Sequence, residues 1–280
     1  MRKIKEPIIN QEEICNSFVE LKYKERIIEK SIKYKEIISN VESLVNDESK
    51  FQSLNEDYND YMIKMYSKKF SNKNYKNIYK FYQIIRNGEK YCPYCNVPTR
   101  EVKQVDHYLP KSKFPALAIV AKNLVPICKE CNELKGNYFS LENENQLIHP
   151  YYDIEMLDAF EYIECVITEN INIGFRFSIK KLDRWSNTFY KRVIFHFKKL
   201  KIDELYLSDF VTEYSIYIEE LNQLYQEEGI KEEIKKAIER KVKSYYNKKI
   251  MPWRYAGYKC LLESEWFFKT FFSWSNIKIK

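Results

Sequence analysis

The chain has 280 residues, of which 45% are hydrophobic and 31% charged, with five glycines and eight prolines; this excludes a disordered chain, and the shortage of turn formers argues for helices over an all-β architecture. Forty-seven basic against forty acidic residues give a formal charge of +7, which permits a nucleic-acid partner without requiring one. No run of 18 apolar residues occurs and residues 1–18 lack the apolar stretch of a signal peptide, so the expectation is a cytoplasmic protein with no membrane contact.

From residue 10 to about 87, charged and apolar positions alternate at three-to-four spacing, and no proline falls between Ile8 and Cys92. This predicts an N-terminal helical region, residues 1–87, closed by the Asn87-Gly88 pair. Its last third is basic: residues 60–91 hold eight Lys/Arg against two Asp/Glu. Such a stripe is either a solvated helix face or a surface for phosphates.

Residues 88–152 break into short, proline-punctuated pieces, the pattern of a compact metal-organised module. Cys92, Cys95, Cys128 and Cys131 form two CxxC pairs separated by 32 residues. Four thiolates close a tetrahedral shell around a structural Zn²⁺, and that metal holds the module together without doing chemistry. The intervening residues must therefore build something else. "VKQVDHYLP" reads as an extended piece that delivers Asp106 and His107, and "NLVPICKECNELK" as a turn into a helix beginning near Cys128. At i, i+3, i+4 and i+7, Cys128, Cys131, Asn132 and Lys135 share one face of that helix. If the extended piece crosses it, the Asp106 carboxylate and the Asn132 amide oxygen can share a hard divalent cation, Mg²⁺ or Mn²⁺. His107 would then lie beside the cation with a pKa near neutrality, able to take a proton from water. Adjacent strand residues point to opposite faces, so this requires the strand to end or bend at His107.

Residues 153–280 begin with "YIECVITENINIGFRFSI", whose alternation and β-branching predict a β-hairpin turning at Glu169-Asn170. Helices are expected from Trp185 onward. The tail "ESEWFFKTFFSWSN" holds six large aromatics between Trp266 and Trp274. It reads as the core face of a last helix or as a docking surface, with Trp266 and Phe271 as candidate anchors. Cys15, Cys165 and Cys260 read as ordinary isolated thiols, and His149 and His196 as core histidines.

The stretches "DH-x-x-P" at Asp106 to Pro110 and "NL-x-P-x-C-x-x-C-N-x-x-K" at Asn123 to Lys135 resemble an HNH endonuclease of the ββα-metal class, in the subgroup braced by two CxxC pairs. The resemblance covers about 60 residues. It implies an α+β chain in which helical flanks surround a small zinc-braced ββα-metal module, with the hairpin following it. It further implies a nuclease with His107 as general base, Asp106 and Asn132 as ligands of a catalytic Mg²⁺ or Mn²⁺, and Asn123 completing the reaction centre by tying the loop between the strands. Lys111 and Lys135 become candidates for substrate phosphates. DNA is a better substrate expectation than RNA. "DHYLPKSKFP" together with "LIHPYYD" also resembles nuclease subunits of Septu-type anti-phage systems, which work with an ATPase partner. Such relatives often carry Asp where this chain has His149. The competing reading is a catalytically inert zinc module that only binds nucleic acid or protein.

Overall fold

The computed structural model describes residues 1–39, 56–153, 158–168 and 173–277. They form two compact units, Met1–Leu157 and Asp158–Lys280. Helices and two small antiparallel hairpins make an α+β protein, as expected. No helix among the described residues is long and apolar enough to cross a membrane.

In the first unit the expected N-terminal helical run is divided into short helices: Gln11–Asn16, Lys24–Ile32, Tyr34–Ser39, Glu56–Lys64 and Lys76–Asn87. Local chemistry sets some of the ends. The Asn10 side chain accepts the Glu12 N–H at 2.8 Å and starts the first helix, and the last stops at Gly88. Helix Glu56–Lys64 runs into a wider π-helical turn, Met65–Phe70, that buries Met65, Tyr66 and Phe70. Single π turns of this kind recur at functional sites because the extra residue re-aims a side chain. Tyr66 lies on this turn.

Strand β1, Gln104–His107, pairs antiparallel with β2, Leu124–Ile127, in the register Gln104↔Ile127, Val105↔Pro126, Asp106↔Val125 and His107↔Leu124. A two-stranded sheet has only edges, which is why Pro126 is tolerated in β2. The strand ends at His107, which meets the condition for adjacent residues to serve one site. Between the strands, residues 114–121 are buried throughout. A buried loop must find partners for its backbone. Gln11 supplies two, donating from Nε2 to the Ile119 carbonyl and accepting the Ala121 N–H at Oε1, each at 3.0 Å. After β2 comes helix Lys129–Lys135, closed by Gly136 at φ +52°, a conformation that favours glycine.

The second unit opens with the expected hairpin, β3 Ile163–Thr168 against β4 Gly174–Ile179; the turn at Glu169-Asn170 lies outside the described residues. Phe175, Phe177 and Ile179 alternate inward. They meet helix Ile202–Glu228, which buries Ile202, Tyr206, Phe210, Tyr214, Tyr217, Leu221 and Tyr225 along one stripe. Phe175 packs edge-on to Phe210 at 4.9 Å and to Tyr214 at 5.0 Å. Helix Pro252–Glu263 comes so near that a Cβ on Gly257 would fall 2.4 Å from ring carbons of Phe210. In the last helix, Glu265–Ile277, Phe271 is buried, with its ring 5.8 Å from Phe267 and 6.2 Å from Tyr225. This corrects the expectation of Phe271 as a docking anchor: it sits on the inner stripe, one turn after Phe267. Trp266 is half-buried.

Candidate active site

The metal module is built first by backbone turns. Cys92 and Cys95 lie on a knuckle in which the Asn96 N–H bonds the Cys92 carbonyl at 2.8 Å and Asn96 takes φ +57°. Cys128 caps helix Lys129–Lys135, its sulfur accepting the Cys131 N–H at 3.4 Å. All four cysteines are buried, and their Sγ atoms lie within 4.8 Å of one another. A tetrahedral Zn²⁺ with Zn–S bonds of about 2.3 Å sets its sulfurs roughly 3.8 Å apart, so the four residues fit that metal.

Beside this cluster a cleft of about 250 Å³ is lined by Tyr66, Val105, Asp106, His107, Pro110, Lys111, Asn132, Gly136 and Asn137. Asp106, His107, Asn132 and Lys111 are thus brought together. His107 is buried, and its Nε2 lies 2.9 Å from the Ala118 carbonyl. A carbonyl can only accept, so Nε2 carries the proton and Nδ1 is left as a lone-pair acceptor. Burial lowers the His107 pKa to about 3; the Ala118 carbonyl opposes that shift, and Lys111 and Lys135 add to it. The value differs from the near-neutral one expected because the imidazole is taken out of water among cations. An anionic phosphodiester in the cleft would move it back up by the same electrostatics.

The Asp106 carboxyl is raised by burial, with Lys135 and the His107 backbone N–H only partly countering this. Lys135 Nζ lies 2.9 Å from Asp106 Oδ2 and donates to the His107 carbonyl at 2.8 Å. Oδ2 is buried and, despite that close ion pair, has no hydrogen bond of good geometry. A carboxylate is a hard oxygen donor, so a cation bound at Oδ2 would compete with the Lys135 ammonium. Asn132 donates from Nδ2 to Gln104 Oε1 at 2.6 Å, which leaves its Oδ1 for another partner. Together they offer two oxygen donors of the kind that select Mg²⁺ or Mn²⁺.

Two expected residues lie elsewhere. Asn123 is fully buried and does not line the cleft. Its Oδ1 accepts from Tyr34 and from the Leu109 N–H, both at 2.8 Å, and its Nδ2 donates to the Leu109 and Leu117 carbonyls at 3.0 and 3.3 Å. The amide is saturated by the chain, and it fastens the loop carrying Pro110 and Ala118. Lys135, expected to meet phosphates, is buried and engaged with Asp106 and His107. Lys111 keeps its place on the cleft wall.

His149 is packed among tyrosines, 4.2 Å from the Tyr108 ring and 4.7 Å from that of Tyr152, and its Nδ1 accepts the Tyr151 N–H at 3.2 Å. His196 is buried in helix Asn187–Lys199 of the second unit. Sequence reasoning missed Tyr66, whose ring lies 4.3 Å from the His107 imidazole and whose hydroxyl donates to the Val105 carbonyl at 3.2 Å. It also missed Gln104 and Gln11. A glutamine has no periodicity of its own, and Tyr66 is one of 24 tyrosines.

Comparison with known proteins decides the nature of the module. Residues 92–138 match the HNH endonuclease family. That segment is an HNH domain. Over 196 residues the chain is 27% identical to protein ea31 of Escherichia phage lambda, covering 66% of each protein. Over 65 residues it is 37% identical to Septu protein PtuB of Bacillus thuringiensis, covering 22% of this chain and 24% of that one. The chain therefore spans about two thirds of the first relative and about a quarter of the second. No solved structure matches it at a significant level.

Proposed function

We propose that this protein is a metal-dependent endonuclease that hydrolyses phosphodiester bonds, with DNA as the preferred substrate, and that it works in the cytoplasm as the nuclease subunit of an anti-phage defence complex. The observation that carries the reading is the gathering of Asp106, His107, Asn132 and Lys111 on one cleft of the HNH domain. In this reading Nδ1 of His107 accepts the proton of the attacking water, while the Ala118 carbonyl fixes the tautomer. Tyr66 holds the imidazole plane from the side. Lys111, with its ammonium 5.5 Å from the centre of the Tyr66 ring, meets the substrate phosphate. Asp106 Oδ2 and Asn132 Oδ1 would hold the cation, which when bound supplies positive charge against the phosphate and the leaving oxygen. The defence role and an ATPase partner draw support from the partial similarity to the Septu protein and from the length of chain outside the HNH domain.

One observation favours an inert zinc module instead: the Asp106 carboxylate is already paired with the Lys135 ammonium. A single assay separates the two readings. Wild type and His107→Ala are incubated with plasmid DNA, linear DNA and RNA, with Mg²⁺, Mn²⁺ or EDTA, alone and with co-purifying proteins. We expect cation-dependent cleavage that falls about 10²–10⁴-fold in His107→Ala, with zinc content and helicity unchanged. Equal cleavage by both proteins would remove His107 as the base, and no cleavage under any condition would leave the inert module standing.

A further inference from the structure

The second unit carries a pair of thiols that the sequence keeps 95 residues apart. Cys165 stands on β3 opposite Phe177, and Cys260 on helix Pro252–Glu263. Both are partly exposed, unlike Cys15 and the four metal-site cysteines, which are buried. Both line one cleft of about 180 Å³, with Lys180 and Lys259 as its cations and Glu161, Glu164 and Glu263 as its carboxylates. Helix Pro252–Glu263 packs along β3, and in the shared cleft the two thiols are near enough to perturb each other's charge. The expectation of isolated thiols therefore fails for these two: the hairpin folds β3 against the helix and brings them together.

We propose that Cys165 and Cys260 form a redox-modification site that a hydroperoxide converts to a disulfide linking β3 to helix Pro252–Glu263. The neighbouring thiol lowers the pKa of Cys260 against the opposing effect of burial, while Cys165 is raised by its neighbour and by burial together. Cys260 is the attacking thiolate and Cys165 the resolving thiol. The Cys260 sulfur takes the distal oxygen of the hydroperoxide; the S–O bond forms, the O–O bond breaks, and the alcohol or water leaves with a proton. The Cys165 sulfur then attacks the resulting sulfenic acid; the S–S bond forms, the S–O bond breaks, and water leaves with the Cys165 proton. Two thiols lose two electrons and the hydroperoxide gains them. A cleft of this size admits several water-sized molecules at about 30 Å³ each, so hydrogen peroxide can enter, and being neutral it is not turned away by the mixed charge of the walls.

The test uses the full chain with its metal bound. Hydrogen peroxide is added in small excess, and thiols, zinc and non-reduced peptides are measured. Two of the seven thiols should disappear with zinc fully retained, and the peptides holding Cys165 and Cys260 should appear linked, two hydrogens lighter than their sum. In Cys165→Ser the link should vanish and Cys260 should be trapped as sulfenic acid by dimedone. If Cys165→Ser does not fold, Cys165→Ala serves, since the wild-type peptide map decides the matter alone. Oxidation of Cys15 or of the metal-site cysteines with no Cys165–Cys260 link would overturn the proposal, as would a Cys260 sulfenic acid that persists in the wild type.

Discussion

Inside the HNH domain the connection between β1 and β2 buries a run of small and medium aliphatic residues, Ala116 to Ala121, and four cysteines cluster in the same domain. Inside the C-terminal unit the packing is aromatic, with Phe175, Phe177, Tyr214 and Tyr258 in contact with Phe210, Tyr206 against Phe177, and Gly257 close to the Phe210 ring. The first region has too few residues to stabilise itself by apolar burial, since modules of this size usually need a metal or a disulfide. Its geometry is set by directed links: metal ligands, the four hydrogen bonds of Asn123, and the Gln11 clasp. The second region has directed links too, from Trp253 and Arg254 to Asp209 and from Tyr258 to Glu213, but there they border a large aromatic interior in which each buried ring contributes area from many directions. A site that must hold Asp106 and His107 to within fractions of an ångström is better served by directed bonds than by packing.

Removing the metal should break this contrast most forcefully. Structural Zn²⁺ sites bind with about 10–16 kcal/mol near neutral pH, and that binding is folding energy. Chelation, or Cys128→Ser, should therefore unfold residues 92–138 and abolish any cleavage, while the C-terminal unit keeps its aromatic signal. Hydrogen exchange mapped by peptide would show this as a loss of protection confined to the first unit. Protection of β1 and β2 surviving in the metal-free chain would mean that burial, not the metal, holds the domain.

The reverse experiment acts on the aromatic interior. Phe210 is fully buried, touching Phe175, Phe177 and Tyr258 and filling the space that Gly257 leaves open. Phe210→Ala should cost about 3–5 kcal/mol by transfer and cavity terms together. Thermal or denaturant unfolding followed by Trp253 fluorescence would measure it, since Trp253 stacks on Tyr206 at 4.6 Å in the same interior. Zinc stoichiometry should stay at one per chain. A fall in zinc with this variant would show that the two regions do not hold their order separately.

The same contrast explains what the sequence made legible. The CxxC pairs, the strand with Asp106 and His107, and the helix after Cys128 were readable because metal chemistry and helical spacing leave few solutions. The β3–β4 hairpin was readable from its alternation. The interruptions of the N-terminal helices were not, because they depend on where Tyr34, Tyr66 and Gln11 must reach in the module rather than on local propensity. Lys135 was misplaced for a related reason. Its position one turn beyond Asn132 fixes which face it shares but not whether its ammonium turns outward to phosphates or inward to Asp106. The meeting of Cys165 and Cys260 depends on how a strand packs against a helix 95 residues later, which no local pattern encodes.

The smallest expected effect concerns an aromatic residue that works beside the module of directed bonds. Tyr66 combines both kinds of interaction: its hydroxyl bonds the Val105 carbonyl, and its ring stands 4.3 Å from the His107 imidazole. Tyr66→Phe removes only the bond, which should cost about 0.5–1.5 kcal/mol of stability. The ring that positions His107 stays, so cleavage should change by no more than about threefold, equivalent to roughly 0.6 kcal/mol in the barrier. Tyr66→Ala removes the ring as well. If the ring orients the imidazole, that variant should lose much more in kcat than in KM, because a misdirected base affects the chemical step and not the hold on substrate. Equal losses in the two variants would assign the effect to the Val105 hydrogen bond. In that case even this aromatic residue would act by the directed chemistry that governs the HNH domain.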